Sequence, residues 1–170
     1  ACFSDFLGDL SSQKRKVIRR ERARACDGLH IKQLRGDDIK TSDWDFFFRC
    51  YQDTGSRKWG SPYLNRAFFA LLGERMGDAC VLLVAEAQGK PIASALNLIG
   101  GEALYGRYWG RVVDVPFLHF ELCYYQAIEL AIELGLPRVE AGAQGEHKLA
   151  RGYTPVPTYS AHWIAEPALH

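Results

Sequence analysis

Between residues 140 and 153 the chain gathers Glu140, Gln144, Glu146, His147, Lys148 and Arg151. Residues 138–141 read as a short buried strand, so Glu140 ends that strand as a carboxylate in need of a partner. The glycines at 142 and 145 make the next segment a loop, and residues 146–150 read as a helical turn. A polar cluster on a loop held by a sheet end reads as a site. Histidine is the residue type suited to relaying a proton near neutral pH, so His147 is one relay candidate and Glu146 the other. Glu140 and Lys148 join it as catalytic candidates, with Gln144 and Arg151 as substrate-binding ones. The competing reading pairs Glu140 with Arg151 to shape the loop and leaves His147 solvated.

A second group sits near the start of a long, mostly apolar helix read over residues 117–134. His119 opens it, and Glu121 and Tyr125 are spaced i, i+4 on one face. A carboxylate there either orients an amine and acts as a base, or is a buried Glu held by Tyr125, Tyr105 or an arginine. Glu121 is therefore the fourth catalytic candidate and Tyr125 a binding one. His119, Glu140 and His147 lack metal-ligand spacing, so no metal site is expected. Arg107, between Tyr105 and Trp109 on a strand, faces an anion or is an exposed strand cation. Trp59 beside Arg57 and Lys58 either stacks a base or sugar or anchors its loop.

Seven cations lie between residues 14 and 24, with Glu21 as the single acid among them. The net charge is +1, so this +6 stretch leaves the remainder acidic. Ser11 and Ser12 mark its start and Gly28 its end, giving a basic helix docked by a narrow face. Arg19 on that helix is a candidate for a phosphate. The stretch meets a tRNA or phosphate headgroup, is a solvated face, or is a seam between copies. It has no interleaved aromatics of the kind single-stranded nucleic-acid binders use.

The elements that position these groups follow from the patterning. Residues 29–34 alternate as a strand; 44–52 and 64–76 read as helices around a loop at 54–62. Residues 80–87 are a buried strand, joined by Gln88-Gly89-Lys90 to a partner at 91–99. A third antiparallel strand covers 103–109, and a last strand is expected over 158–164. The division expected is a basic arm at 1–28 and one domain at 29–170. The 170 residues are 48% hydrophobic, 12% aromatic and 24% charged, which fits one globular domain. Twenty-one basic against 20 acidic residues exclude a nucleic-acid coat protein. No apolar run is long enough to span a bilayer and no signal peptide is visible, so a cytoplasmic location is expected. Five cysteines without paired spacing read as reduced thiols.

Five strings carry a resemblance. They are Ser12-Gln13-Lys14-Arg15-Lys16-Val17-Ile18-Arg19-Arg20-Glu21-Arg22; residues 53–60 followed by Pro62-Tyr63-Leu64; Leu104-Tyr105-Gly106-Arg107-Tyr108-Trp109-Gly110; His119-Phe120-Glu121-Leu122-Cys123-Tyr124-Tyr125-Gln126; and the longest, residues 139–153. Together they resemble a bacterial FemAB-like "peptidoglycan biosynthesis/recognition" family of the GNAT superfamily. The resemblance implies an α/β GNAT-like acyltransferase fold, with a mixed, mostly antiparallel sheet flanked by helices. It also implies a C-terminal half of a longer protein, so the partners expected include an N-terminal half or a second copy. The implied activity is transfer of an acyl or aminoacyl group to an amine, on a cell-wall precursor or a small metabolite. The implied donors are acetyl-CoA or another acyl-CoA, or an aminoacyl-tRNA. The alternative is a non-catalytic domain that binds a glycan, a nucleotide or another phosphate-bearing ligand. Two departures bear on this. Residues 109–116 lack the Gln/Arg-x-x-Gly-x-Gly/Ala turn of CoA-binding relatives. Ala150 stands where FemAB transferases have a lysine, with Lys148 two residues earlier.

Overall fold

A computed structural model of the chain describes residues 2–57, 62–142 and 145–165, with residues 56 and 57 described by backbone alone. The central sheet follows from one segment. In Cys80–Ala87 (β2) the first six residues are all buried, and odd and even positions enter different cores. A continuous apolar run of this kind suits a strand covered on both faces. Around it the sheet runs β1-β2-β3-β4-β5, with β1 at Leu29–Arg35, β3 at Lys90–Gly100, β4 at Ala103–Arg111 and β5 at Arg138–Glu140. The first three pairings are antiparallel and β4–β5 is parallel. Gln88 and Gly89 both adopt positive φ in the β2–β3 hairpin, as a tight two-residue turn requires.

Two helices cover one face. Thr41–Arg57 (α3) and Arg66–Met76 (α4) pack Trp44, Phe47, Tyr51 and Phe69 onto Leu82, Val84 and Leu96. Asn65 caps α4 by accepting from the Phe68 N–H at 2.9 Å. The helix read over 44–52 is longer at both ends and takes in part of the expected loop. Gly110 lets α3 cross β4 closely: a Cβ there would lie 1.8 Å from the Cys50 carbonyl oxygen. Neither backbone can yield cheaply, so Gly110→Ala is expected to cost at least about 3 kcal/mol. Chemical denaturation measures this.

The other face is covered by residues 118–133, which are not one regular helix. Leu118–Phe120 (α5) passes through a π-helical turn, Glu121–Tyr125, into Gln126–Glu133 (α6). Before it come Phe3–Gly8 (α1), absent from the sequence reading, and Ser12–Ala25 (α2). Leu7 and Ile18 of these helices join Tyr124 and Tyr125 in a third apolar cluster. The last described helix is a 3-10 turn, Glu146–Arg151.

The strand expected over 158–164 is a correction. Residues 154–165 form no strand, and Tyr159 and Trp163 are 94% and 84% exposed. The alternating pattern is present, but no described strand pairs with it, and pattern without a hydrogen-bonded neighbour makes no sheet.

Burial raises several protons' affinities. Cys26 and Cys80 are pushed up to about 11. Cys50, Tyr108 and Tyr124 are pushed up to about 12. The unfolded chain releases these protons first, starting near the ordinary thiol value of 9.0. The stabilisation is therefore complete below about pH 9 and declines as pH climbs toward the folded values. Melting temperature should fall steadily above that pH, and a flat profile would contradict the burial.

Candidate functional site

The parallel pairing of β4 with β5 is short. It ends at Tyr105 opposite Glu140, where the ladder parts although Gly106 still lies against the Glu140 carbonyl and Ala141. At the same place β4 carries a bulge: Leu96 pairs with Tyr108 and Asn97 with Gly106, so Arg107 has no partner in β3. A bulge takes a residue out of the ladder and re-aims its neighbours. Arg107 is exposed there. The parting is bordered by β4 on one side and by Ala141 and Gly142 on the other.

The loop is held by several bonds. Lys148 Nζ donates to the carbonyls of Ala141 at 2.7 Å and Gly142 at 2.9 Å. Desolvation lowers the Lys148 pKa. Arg151 NH1 donates to the His147 carbonyl at 2.8 Å. The same guanidinium is bidentate to Glu21 of α2, with NH2 to Oε1 at 2.7 Å and Nε to Oε2 at 3.2 Å. Tyr125 OH also donates to Glu21, and Arg151 stacks 3.4 Å above the Phe120 ring. The Arg151 and Glu21 side chains are 8% and 6% exposed. The competing reading of the sequence pairs Arg151 with Glu140; the structure pairs it with Glu21 instead.

Glu140 itself is exposed. The reason is topological: β5 is an edge strand of three residues, so its ends face solvent. The reading of Glu140 as a buried carboxylate is therefore corrected. Glu121 is fully buried, but Arg22 holds it at 2.9 Å and Gln126 donates to it at 2.8 Å. Arg22 reaches Glu129 as well, at 2.7 Å. Glu121 thus serves a buried ion network, and the π turn sends the Tyr125 hydroxyl to Glu21 rather than to Glu121.

His147 is exposed on the turn that follows Ala141 and Gly142. Its Nε2 lies 2.9 Å from Tyr124 OH, and burial keeps that phenol protonated, with its pKa near 12. Gly145 makes room for the ring: its φ is +106°, and a Cβ there would lie 2.5 Å from His147 Cε1. His119 is near, its ring 6.3 Å from His147 and 4.5 Å from Trp109. Among the described residues no group of three or more His, Cys, Asp and Glu side chains comes together to hold a metal ion. On the α3 side of β4, Tyr63 is 79% exposed and its hydroxyl meets that of Tyr108. Arg19 is exposed on α2. Lys58, Trp59 and Gln144 lie outside the described residues, and Arg57 is described by backbone alone.

The Glu146–Arg151 turn therefore brings His147, Lys148 and Arg151 together, while Arg107 stands at the β4 bulge. The sequence reading missed Tyr124 and Glu21. Glu21 did leave a signal, as the lone acid among seven cations. A separate depression of about 280 Å³, lined by Asp37, Trp44, Arg66 and Gly73, lies by α4. It borders none of these groups, and the histidine and two cations gathered on one turn, with Lys148 bonded to Ala141 next to the β4–β5 ladder end, make that end the candidate site.

A family model described as FemAB-like, peptidoglycan biosynthesis/recognition, matches residues 1–170. No curated protein gives a significant match. Among solved structures the chain is similar to an aminoglycoside acetyltransferase from an uncultured soil metagenomic sample, in complex with trehalose. The TM-score is 0.53 at 13% identity, covering 83% of this chain and 98% of that one. It is similar to the aminoglycoside N-acetyltransferase AAC(6')-Iy in complex with CoA, with TM-score 0.55 at 12% identity, covering 81% and 95%. It is also similar to a conserved protein of unknown function from Bacteroides thetaiotaomicron, with TM-score 0.60 at 17% identity, covering 92% of this chain and 54% of that one. These likenesses show the α/β GNAT-like fold: a five-stranded mixed, mostly antiparallel sheet flanked by helices.

Proposed function

This chain belongs to the FemAB-like family, and on that premise we propose that it transfers an activated acyl or aminoacyl group to an amine. The observation that supports this most is an exposed His147 held against Tyr124 on the turn that follows the β4–β5 ladder end. Fold alone would not carry the step.

The acceptor nitrogen attacks the carbonyl carbon, a C–N bond forms, and the C–S or C–O bond to the donor breaks. The amine's proton passes to His147 and the leaving group takes a proton in turn. Nε2 is engaged by the Tyr124 hydroxyl, and in the tautomer that carries its proton on Nε2 the Nδ1 lone pair is the one that accepts. Lys148 and Arg151 hold the loop that carries His147, and Arg107 supplies a cation for an anionic part of the substrate. Glu140, on the exposed edge, is a candidate for contacting the acceptor amine.

Two donor classes remain. The CoA held by AAC(6')-Iy supports an acyl-CoA. The 109–116 turn supports an aminoacyl-tRNA: it has no glycine after Gly110, and Arg111 is engaged by Asp114, so it offers a phosphate less than a glycine-rich cradle would. The family description points to amines on cell-wall precursors as the first acceptors to try, with small-metabolite amines next.

One observation favours binding without turnover of a glycan, nucleotide or other phosphate-bearing ligand. Among the described residues no carboxylate bonds to His147 to orient it. The test is amide formation, followed by mass spectrometry, from each donor class with UDP-linked precursors and simple amines. Amide product supports transfer; a donor bound but unconsumed with every acceptor supports the binding reading.

A further inference from the structure

The depression by α4 has a volume of about 280 Å³, and α4 shapes one wall of it. Arg66, Ala70, Gly73 and Glu74 fall at i, i+4, i+7 and i+8, so they share one face of that helix. Ala70 and Gly73 in the middle make this face a trough. Gly77, just past the helix end, adds open space, since a Cβ there would meet nothing within 4 Å. Asp37 and Trp44 line the depression from outside α4.

Trp44 is 5% exposed, yet its indole N–H has no hydrogen-bond partner among the described residues. A buried indole N–H normally finds one. The ring edge that carries Nε1 faces Gly73, where a Cβ would lie 2.7 Å from the nitrogen. Both residues line the depression, so the absence of a side chain at 73 leaves this donor turned toward it.

The other groups are mostly acceptors. The carboxylates of Asp37 and Glu74 line the depression and have no hydrogen bond or ion pair among the described residues. α4 ends beside them at Met76, and its last carbonyls carry the negative end of the helix dipole. Arg66 stands about 12 Å along the helix from Glu74, and Asp45 answers its charge at 2.6 Å. An adjoining lobe of about 470 Å³ shares Asp37 and Glu74 and sets Asp78 against Arg75, so the acidic excess remains. Among the described residues no set of His, Cys, Asp and Glu comes together to hold a metal ion, so the cation that suits these carboxylates is an organic one.

We propose that this depression binds a small primary amine with a neighbouring hydroxyl, the pattern of a 2-amino sugar. Asp37 and Glu74 take the ammonium, and Trp44 Nε1–H donates to the hydroxyl oxygen. The volume is near the lower end of small-molecule sites, which run about 300–1,000 Å³, so it suits one sugar ring rather than a chain of them. The site is separate from the His147 turn and does not depend on the acyl-transfer reading.

A ligand-detected NMR titration tests this with four probes. Glucosamine carries both groups, glucose lacks the amine, N-acetylglucosamine has the amine neutralised, and cyclohexylamine has an amine without hydroxyls. The proteins are the wild type, Glu74→Gln and Ala70→Trp, with melting temperature read on each. Both positions are exposed, so both variants should melt with the wild type. Glucosamine should bind the wild type at least about 10-fold more tightly than the other three probes, and Glu74→Gln should weaken it about 10-fold or more. Ala70→Trp, which fills the trough, should abolish binding. No binding of glucosamine, or equal binding of any other probe, would overturn the proposal. So would glucosamine binding that is unchanged in both variants, because the ligand would then sit elsewhere. No acyl donor is present in the titration, so its outcome and that of the amide-transfer test are independent.

Discussion

Arg151→Ala should lower the unfolding free energy by about 3–5 kcal/mol, because removing one partner leaves Glu21 charged and buried. For a chain of this length that is a drop of roughly 6–20 °C in melting temperature. The pair is deep, bidentate and shared with Tyr125. Removing the guanidinium also strips a bond from the His147 carbonyl and a cation from the Phe120 face. The double variant Glu21→Leu/Arg151→Met should lose far less, since no lone charge remains. Urea denaturation of the two single variants and the double completes the cycle. A single-variant loss under about 1 kcal/mol would mean that water reaches the pair and that α2 is not fixed by it.

His147→Ala is the second large effect. A positioned general base contributes about 100- to 10,000-fold, so the rate of amide formation should fall within that range. The ring is exposed, so the melting temperature should stay close to the wild type. Tyr124→Phe removes the bond at Nε2 but not the base, so its loss should be the smaller one. If His147→Ala transfers at the wild-type rate, His147 is not the base and the account of this site fails.

These two results depend on features that were unequally legible in the sequence. β2 was readable because six successive apolar residues leave few alternatives, and its hairpin because Gln88-Gly89 names its turn. The order of strands and helices followed from them. Histidine, lysine and arginine at 147, 148 and 151 were found because they crowd one loop. The Glu21–Arg151 pair was not, since 130 residues separate its members and only packing of α2 against the Glu146–Arg151 turn unites them. The π turn at Glu121–Tyr125 leaves no compositional trace, so the i, i+4 face assigned to Glu121 and Tyr125 was misplaced. Glu140 was misread because the apolar Val139 beside it suggests a buried strand, whereas β5 ends the sheet. Residues 158–164 have a strand's alternation but no strand to pair with.

The central claim is transfer at the β4–β5 parting. The most direct measurement is mass-spectrometric detection of new amide from acetyl-CoA or an aminoacyl-tRNA mimic with UDP-linked precursor amines, run in parallel for wild type and His147→Ala. The account predicts an amide product with at least one donor, reduced about 100-fold or more in the variant at unchanged melting temperature. A donor that binds the wild type yet is never consumed, or a product formed equally well without His147, would contradict it.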